Sequence, residues 1–317
     1  MGTPAFAVPA LVALLEGPDP VVAVVTRPDA EKGRGHRDRA VPPVKDVALQ
    51  AGVPVLQPES VRDPDFIRSL ASFRPDLVVT AAFGRILPKE VLELPRLGCI
   101  NIHGSLLPKY RGASPIQACL LNGDAVSGVT LIQMDEGMDS GDILDQASVP
   151  VSEDMTAAEL SGMLAELGAR RLGAILEDLK QGRIRPVPQE ASEATFVRKP
   201  MREDGRIDWT QPVDLVHNRI RAMTPEPGAF TTLRDRPFKI HRSRIQSREG
   251  VHGHPGEIVS CHCGWLEVAC GTGSLALLEI QADSGKRLPT SCCAHNYRPG
   301  TILGDAAPEP DPAGKEA

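Results

Sequence analysis

The chain has 317 residues, of which 41% are hydrophobic and 24% charged. At roughly 100–200 residues per domain, that length predicts two domains. The composition excludes an intrinsically disordered chain, and no stretch nears the ~20 uninterrupted apolar residues of a membrane span. The net charge of −6 is unevenly spread, with −7 over residues 1–182, +4 over 183–304 and −3 over the acidic tail.

The first residues, MGTPAFAVPALVALLEG, lack a basic start, and Glu16 ends their apolar stretch, so they do not read as a secretory signal. A helical pattern over 6–15 leads to a β-branched run at 21–26 that stops at Arg27-Pro28-Asp29. Helix is predicted again over 44–50, 88–92 and 115–121. Strand is predicted over 77–82, 99–103 and 129–134, bounded by Gly84, Gly98, Gly104 and Gly128. Runs that are apolar throughout suit strands covered on both faces, and the alternation with helices predicts an α/β unit with a mostly parallel sheet. A long helix over 156–180 opens with Thr156 and Glu159 at capping-box spacing and closes at Gln181-Gly182.

Residues 183–201, with Pro186, Pro188 and Pro200, read as an extended linker. Beyond it the character changes. Short β-type runs at 238–241, 256–259, 266–269 and 274–280 alternate with turn residues, and only 212–223 is helical. That pattern predicts a small β-barrel domain over 202–304. The last residues, 305–317, lack apolar content and are expected to be disordered.

Chemistry concentrates in two segments. Residues 99–117 read CINIHGSLLPKYRGASPIQ, where Asn101 and His103 share one face of a strand end because side chains alternate with period two. Ligands of open α/β sheets bind at such carboxyl ends. Residues 134–143, MDEGMDSGDI, place Asp139 between Gly137 and Gly141, in a loop able to reach a neighbouring strand tip. Amide, imidazole and carboxylate together suit acyl transfer to an amine, with the amide N–H on a developing oxyanion and the other two handling protons. An N-x-H on a strand is also compatible with a purely structural role.

The runs NIHGSLLPKYRGASPIQ and VTLIQMDEGMDSGDIL resemble the signature of the folate-dependent formyltransferases. The resemblance implies a Rossmann-like, mostly parallel formyltransferase domain over 1–182, with 10-formyltetrahydrofolate as co-substrate. It also implies a catalytic trio of Asn101, His103 and Asp139, and a tetrahydrofolate-lining segment of Ser105, Leu106, Leu107 and Pro108. Three further features resemble the branch of the family that formylates initiator methionyl-tRNA. These are the opening Gly2-Thr3-Pro4-Ala5-Phe6, the long loop over 26–45 with Lys32, Arg34, Arg37 and Arg39, and a β-rich second domain carrying DGRIDW at 204–209. The resemblance implies tRNA contact by the four basic residues and an OB-like fold for the second domain. Arg234, Arg236, Lys239, Arg242, Arg244 and Arg248 are a second basic cluster suited to an RNA backbone. Alternatives are a sugar-nucleotide N-formyltransferase and a degenerate homologue that only binds RNA.

Seven cysteines, odd in number and sparse, favour a reducing cytosol over a disulfide framework, so a cytoplasmic protein is expected; a monomer is expected as well. Cys261-x-Cys263 with His262 fits no common zinc-site spacing, and no metal is expected. Family members begin with an apolar strand ahead of the GTPxF turn. A start codon assigned late is therefore expected here, with a gap left in the core of the sheet.

Overall fold

The computed structural model describes residues 1–32, 38–262, 264–283 and 285–304. Two compact units emerge. The first comprises Met1–Ile116, Val126–Val151 and Glu159–Lys199, and the second Gln117–Ala125, Ser152–Ala158 and the chain from Pro200 onward. The predicted tail lies outside the described residues.

In the first unit, α1 (Val8–Leu15) precedes β1 (Val24–Val25), which pairs in parallel with β4 (Val55–Leu56). Between them in sequence lie a small antiparallel ladder, β2 (Ala30–Lys32) with β3 (Asp38–Ala40), and α2 (Pro43–Gln50). Helix α3 (Pro64–Ser72) follows, with Asp63 accepting from the Asp65 N–H at 2.9 Å and Pro64 in its first turn. Strand β5 (Val78–Ala81), helix α4 (Lys89–Leu92) and strand β6 (Cys99–His103) come next, with β5 and β6 parallel. After β7 (Arg111–Gly112) and α5 (Pro115–Leu121), β8 (Val126–Gln133) runs antiparallel to β6, and β9 (Ile143–Pro150) antiparallel to β8.

Met1 and Gly2 join the two halves of this sheet. Gly2 donates to the Val25 carbonyl at 3.0 Å, and the Ala81 N–H donates to the Met1 carbonyl at 3.0 Å. The Met1 nitrogen donates to the Val79 carbonyl at 2.6 Å. Beside this two-residue bridge lies a largely apolar cavity of about 290 Å³, lined by Leu11, Leu14, Val24, Leu70 and Val78 among others.

Helix α6 (Ala157–Lys180) supplies Leu160, Leu164 and Leu172, all fully buried. Each such side chain contributes about 1.5–3 kcal/mol through burial. Gly168 permits its close approach to the sheet, since a Cβ there would lie 2.6 Å from Ile102 Cγ2. The segment after α6, expected as an extended linker, makes backbone pairings with the first unit. Its β10 (Phe196–Val197) pairs with β7, and Val187 exchanges backbone hydrogen bonds with Ile143. Prolines interrupt this pairing, leaving short ladders that no sequence period reports.

The second unit contains α7 (Val213–Met223) and an antiparallel sheet. Its strands are β11 (Ala229–Leu233), β12 (Arg236–Ser247), β13 (Ile258–His262), β14 (Trp265–Ala269) and β15 (Ser274–Ala282), with β16 (Leu288–Pro289) on β15. The strand order is β11-β12-β15-β14-β13, and no ladder among the described residues joins β11 to β13. The sheet is thus barrel-like but open. Its core gathers Trp209, Val216, Ile220, Phe238, Ile240 and Leu277. No helix among the described residues is long and apolar enough to cross a membrane.

Candidate active site

Strand β6 ends beneath the site, and its alternation brings Asn101 and His103 to one face. Thr80 on β5 stands in register with Asn101, and its hydroxyl donates to Asn101 Oδ1 at 2.7 Å. That bond fixes the amide so that its NH₂ points to Asp139, donating to Oδ1 at 3.2 Å. Asp139 Oδ2 accepts the Gly112 N–H at 2.9 Å and lies 3.5 Å from His103 Nδ1. The three residues named from sequence are therefore together, with the carboxylate in the middle.

The other ring nitrogen of His103, Nε2, lies 2.9 Å from the Tyr110 carbonyl. A carbonyl only accepts, so Nε2 carries the hydrogen. Nδ1 then faces the carboxylate. Both residues that hold His103 have left-handed backbones, Tyr110 at φ +64° and Asp139 at φ +50°. Such conformations cost about 1–3 kcal/mol each and persist where surrounding contacts impose them.

The imposing contacts come from residues absent from the sequence-based set. Gly112, at φ +112°, has no room for a side chain, since a Cβ would sit 2.3 Å from the Val197 carbonyl oxygen. Gln189 Nε2 donates to the carbonyls of Asp139 and Gly141 at 2.8 and 2.7 Å. Its Oε1 accepts from Arg111 Nε and Nη2 at 3.1 and 2.8 Å, and Arg111 is itself buried. Thr80 was detectable as the one polar residue of an apolar run. Gln189 sits in a Pro-rich stretch with no period and carried no sequence signal.

The segment over 105–108 leads away from His103. Thr130 Oγ1 donates to the Ser105 carbonyl at 2.6 Å and accepts the Leu107 N–H at 3.1 Å, while Gln146 Nε2 donates to the Leu107 carbonyl at 3.0 Å. Ser105 and Leu107 are buried, whereas Leu106 and Pro108 are half-buried. The backbone groups of this segment are thus largely consumed by partners inside the protein. Cys99, at the start of β6, is no nucleophile: burial pushes its thiol up to about 12.

Of the basic residues expected at tRNA, Lys32 and Arg39 fall on the β2–β3 ladder, in register with Asp38 and Glu31 respectively. Arg34 and Arg37 lie outside the described residues. On β12, Lys239, Arg242 and Arg244 are exposed while Phe238 and Ile240 face the core. Arg248 instead pairs with Glu153 and Asp214.

Residues 1–176 match the model of the Formyl transferase family, and residues 199–298 that of the Formyl transferase C-terminal domain. The chain belongs to the formyl transferase family. A methionyl-tRNA formyltransferase of Citrifermentans bemidjiense is 45% identical over 306 residues, covering 96% of this chain and 95% of its own. One of Myxococcus xanthus is 46% identical over 304 residues, covering 95% and 96%. Among solved structures, the sugar 3N-formyl transferase WlaRD, crystallised with dTDP and 5-N-formyl-THF, superposes with a TM-score of 0.66 at 19% identity, covering 90% of this chain and 97% of its own. That likeness establishes the formyltransferase fold with its second domain.

Proposed function

We propose that this formyltransferase moves the formyl group of 10-formyltetrahydrofolate to the amino group of methionyl-initiator tRNA. The near-full-length similarity to methionyl-tRNA formyltransferases supports the acceptor. The observation that carries the chemistry is the cluster of Asn101, Asp139 and His103 at the end of β6.

The cluster fits a formyl donor. An amide NH₂ has two hydrogens; Asn101 gives one to Asp139, and the other meets the charge developing on the formyl oxygen as the amine attacks. The amine must then lose a proton. His103, held by Tyr110 at Nε2, receives it at Nδ1, and the Asp139 carboxylate faces the charge so formed. The same ring returns a proton to the departing folate nitrogen. The folate co-substrate supplies an activated one-carbon acyl group, so no protein nucleophile is required. Leu106 and Pro108 are the parts of the 105–108 segment left to touch the donor, since Ser105 and Leu107 are turned inward.

We assign Lys32, Arg34, Arg37 and Arg39, with the exposed cations of β12, to the tRNA backbone. Affinity should then fall steeply with salt. The deciding assay supplies 10-formyltetrahydrofolate with either methionyl-tRNA or an amino-sugar nucleotide. Formylmethionyl-tRNA alone is the expected product. A formylated sugar would overturn the acceptor, and tRNA binding without transfer would overturn catalysis.

A further inference from the structure

We propose that Gln189 is a positioning residue for Asp139, acting through the backbone of the carboxylate's own loop; this rests on the reading of Asp139 as catalytic. The Gln189 amide has two donor hydrogens and two acceptor lone pairs, and all four are used. Its NH₂ bridges the carbonyls on either side of Ser140, at Asp139 and Gly141, while its oxygen takes two N–H groups of Arg111. Partner chemistry fixes the orientation, because carbonyls only accept and a guanidinium only donates.

The clamp falls where strain is held. Asp139 is left-handed, and its carboxylate must serve Asn101, Gly112 and His103 at once. Arg111 and Gly112 are neighbours on β7, so Arg111 anchors Gln189 while the next residue's N–H binds the carboxylate. One two-residue strand thus fixes both the backbone and the side chain of Asp139. A 1 Å error at a reacting group costs turnover on the order of 100-fold, which sets the scale on which the clamp matters.

Gln189→Glu separates positioning from packing. One carboxylate oxygen still accepts both N–H groups of buried Arg111, but the other turns toward two carbonyl oxygens and releases the Asp139 loop. Gln189→Met, which also strips Arg111 of its partner, serves as the packing comparison. Under single-turnover conditions with saturating substrates, the Glu variant is expected to lose roughly 10- to 100-fold in rate. Its KM for methionyl-tRNA should move by less than about threefold. On an Asp139→Asn background, the same change should cost less than about twofold, since the group it positions is already disabled.

Wild-type turnover in Gln189→Glu, or an undiminished penalty on the Asp139→Asn background, would overturn positioning while leaving Asp139 catalytic. Wild-type turnover in Asp139→Asn would overturn both. A rate loss in the Glu variant that vanishes once turnover is scaled to the folded fraction would reduce Gln189 to packing and overturn the proposal.

Discussion

Two histidines, one in each unit, are buried and have a carboxylate oxygen 3.5 Å from a ring nitrogen: His103 with Asp139 and His217 with Asp154. Distance and burial do not distinguish them. Their hydrogen-bond partners do. His217 Nε2 donates to the Glu153 carbonyl at 3.0 Å, and Nδ1 lies 2.9 Å from the Ser243 hydroxyl, which can donate to it. One acceptor and one donor satisfy a neutral imidazole completely. His103 has acceptors at both nitrogens, the Tyr110 carbonyl and the Asp139 carboxylate, and a neutral ring satisfies only one. The carboxylates differ too: the Asp139 side chain is 17% exposed and held by two N–H groups, whereas that of Asp154 is 50% exposed. A histidine–carboxylate pair becomes chemically useful when its environment leaves a place for a proton and fixes the group that meets it.

Neutralising the two carboxylates one at a time should separate the two histidines most widely. Asp139→Asn should cost about 10²- to 10⁴-fold in turnover, the range for disabling the proton transfer that the carboxylate supports at His103. Asp154→Asn should stay within about twofold, because His217 already has its two partners. Single-turnover formylation of methionyl-tRNA measures both. Equal losses would mean that the number of partners is the wrong criterion.

Next in size is Gly112→Ala. Its Cβ would meet the Val197 carbonyl oxygen at 2.3 Å, at a backbone φ of +112° that alanine rarely adopts. The shift needed to relieve that contact moves the N–H off Asp139 Oδ2. Turnover should fall roughly 10- to 100-fold, as for a misplaced reacting group. If rate survives while stability falls, Gly112 holds β7 against β10 and does not support the carboxylate.

The pairing of Asn101 with His103 is readable in the sequence because period-two alternation is local: N-x-H on an apolar run needs no tertiary knowledge to put both side chains on one face. The long helix α6 was equally legible from its spacing and closing glycine. The mirror case of His217 was not distinguishable, because Glu153 and Ser243 reach it from 64 and 26 residues away. Gln189 was hidden for the same reason, its partners lying 78, 50 and 48 positions upstream. Strand β9 escaped because its residues are mostly half-buried or exposed, so its pattern lacks an apolar face. The Pro-rich segment over 183–201 has the sequence character of a linker because proline suppresses the ladders that make strands recognisable. Two-residue pairings such as β7 with β10 become visible only in three dimensions.

His217→Ala should reverse the balance of the first pair of variants. Truncation leaves the Glu153 carbonyl and the Ser243 hydroxyl without their ring partner, at an expected cost of about 1–3 kcal/mol in stability. Turnover per folded molecule should be preserved. Urea unfolding alongside an activity titration separates the two, and lost turnover in fully folded protein would make His217 more than structural.

The smallest expected effect is a pH dependence, and its sign follows from burial. Desolvation lowers the pKa of His217 below its ordinary 6.5, because the packed second unit disfavours the charged ring. The unfolded chain therefore binds a proton near pH 6.5 that the folded protein resists until lower pH. Stability is fully present above about pH 6.5 and is lost as pH falls toward the folded pKa, by at most about 1.4 kcal/mol per pH unit for one group. His241 shifts in the same direction, again chiefly through burial, so the wild-type slope contains both. Comparing His217→Gln with wild type cancels His241 and every other common group. Urea midpoints at pH 7.5 and 5.5 should converge more in the variant than in wild type. Identical differences would mean that the His217 site accepts the charged ring, and the neutral, fully satisfied histidine would no longer separate the second unit from the first.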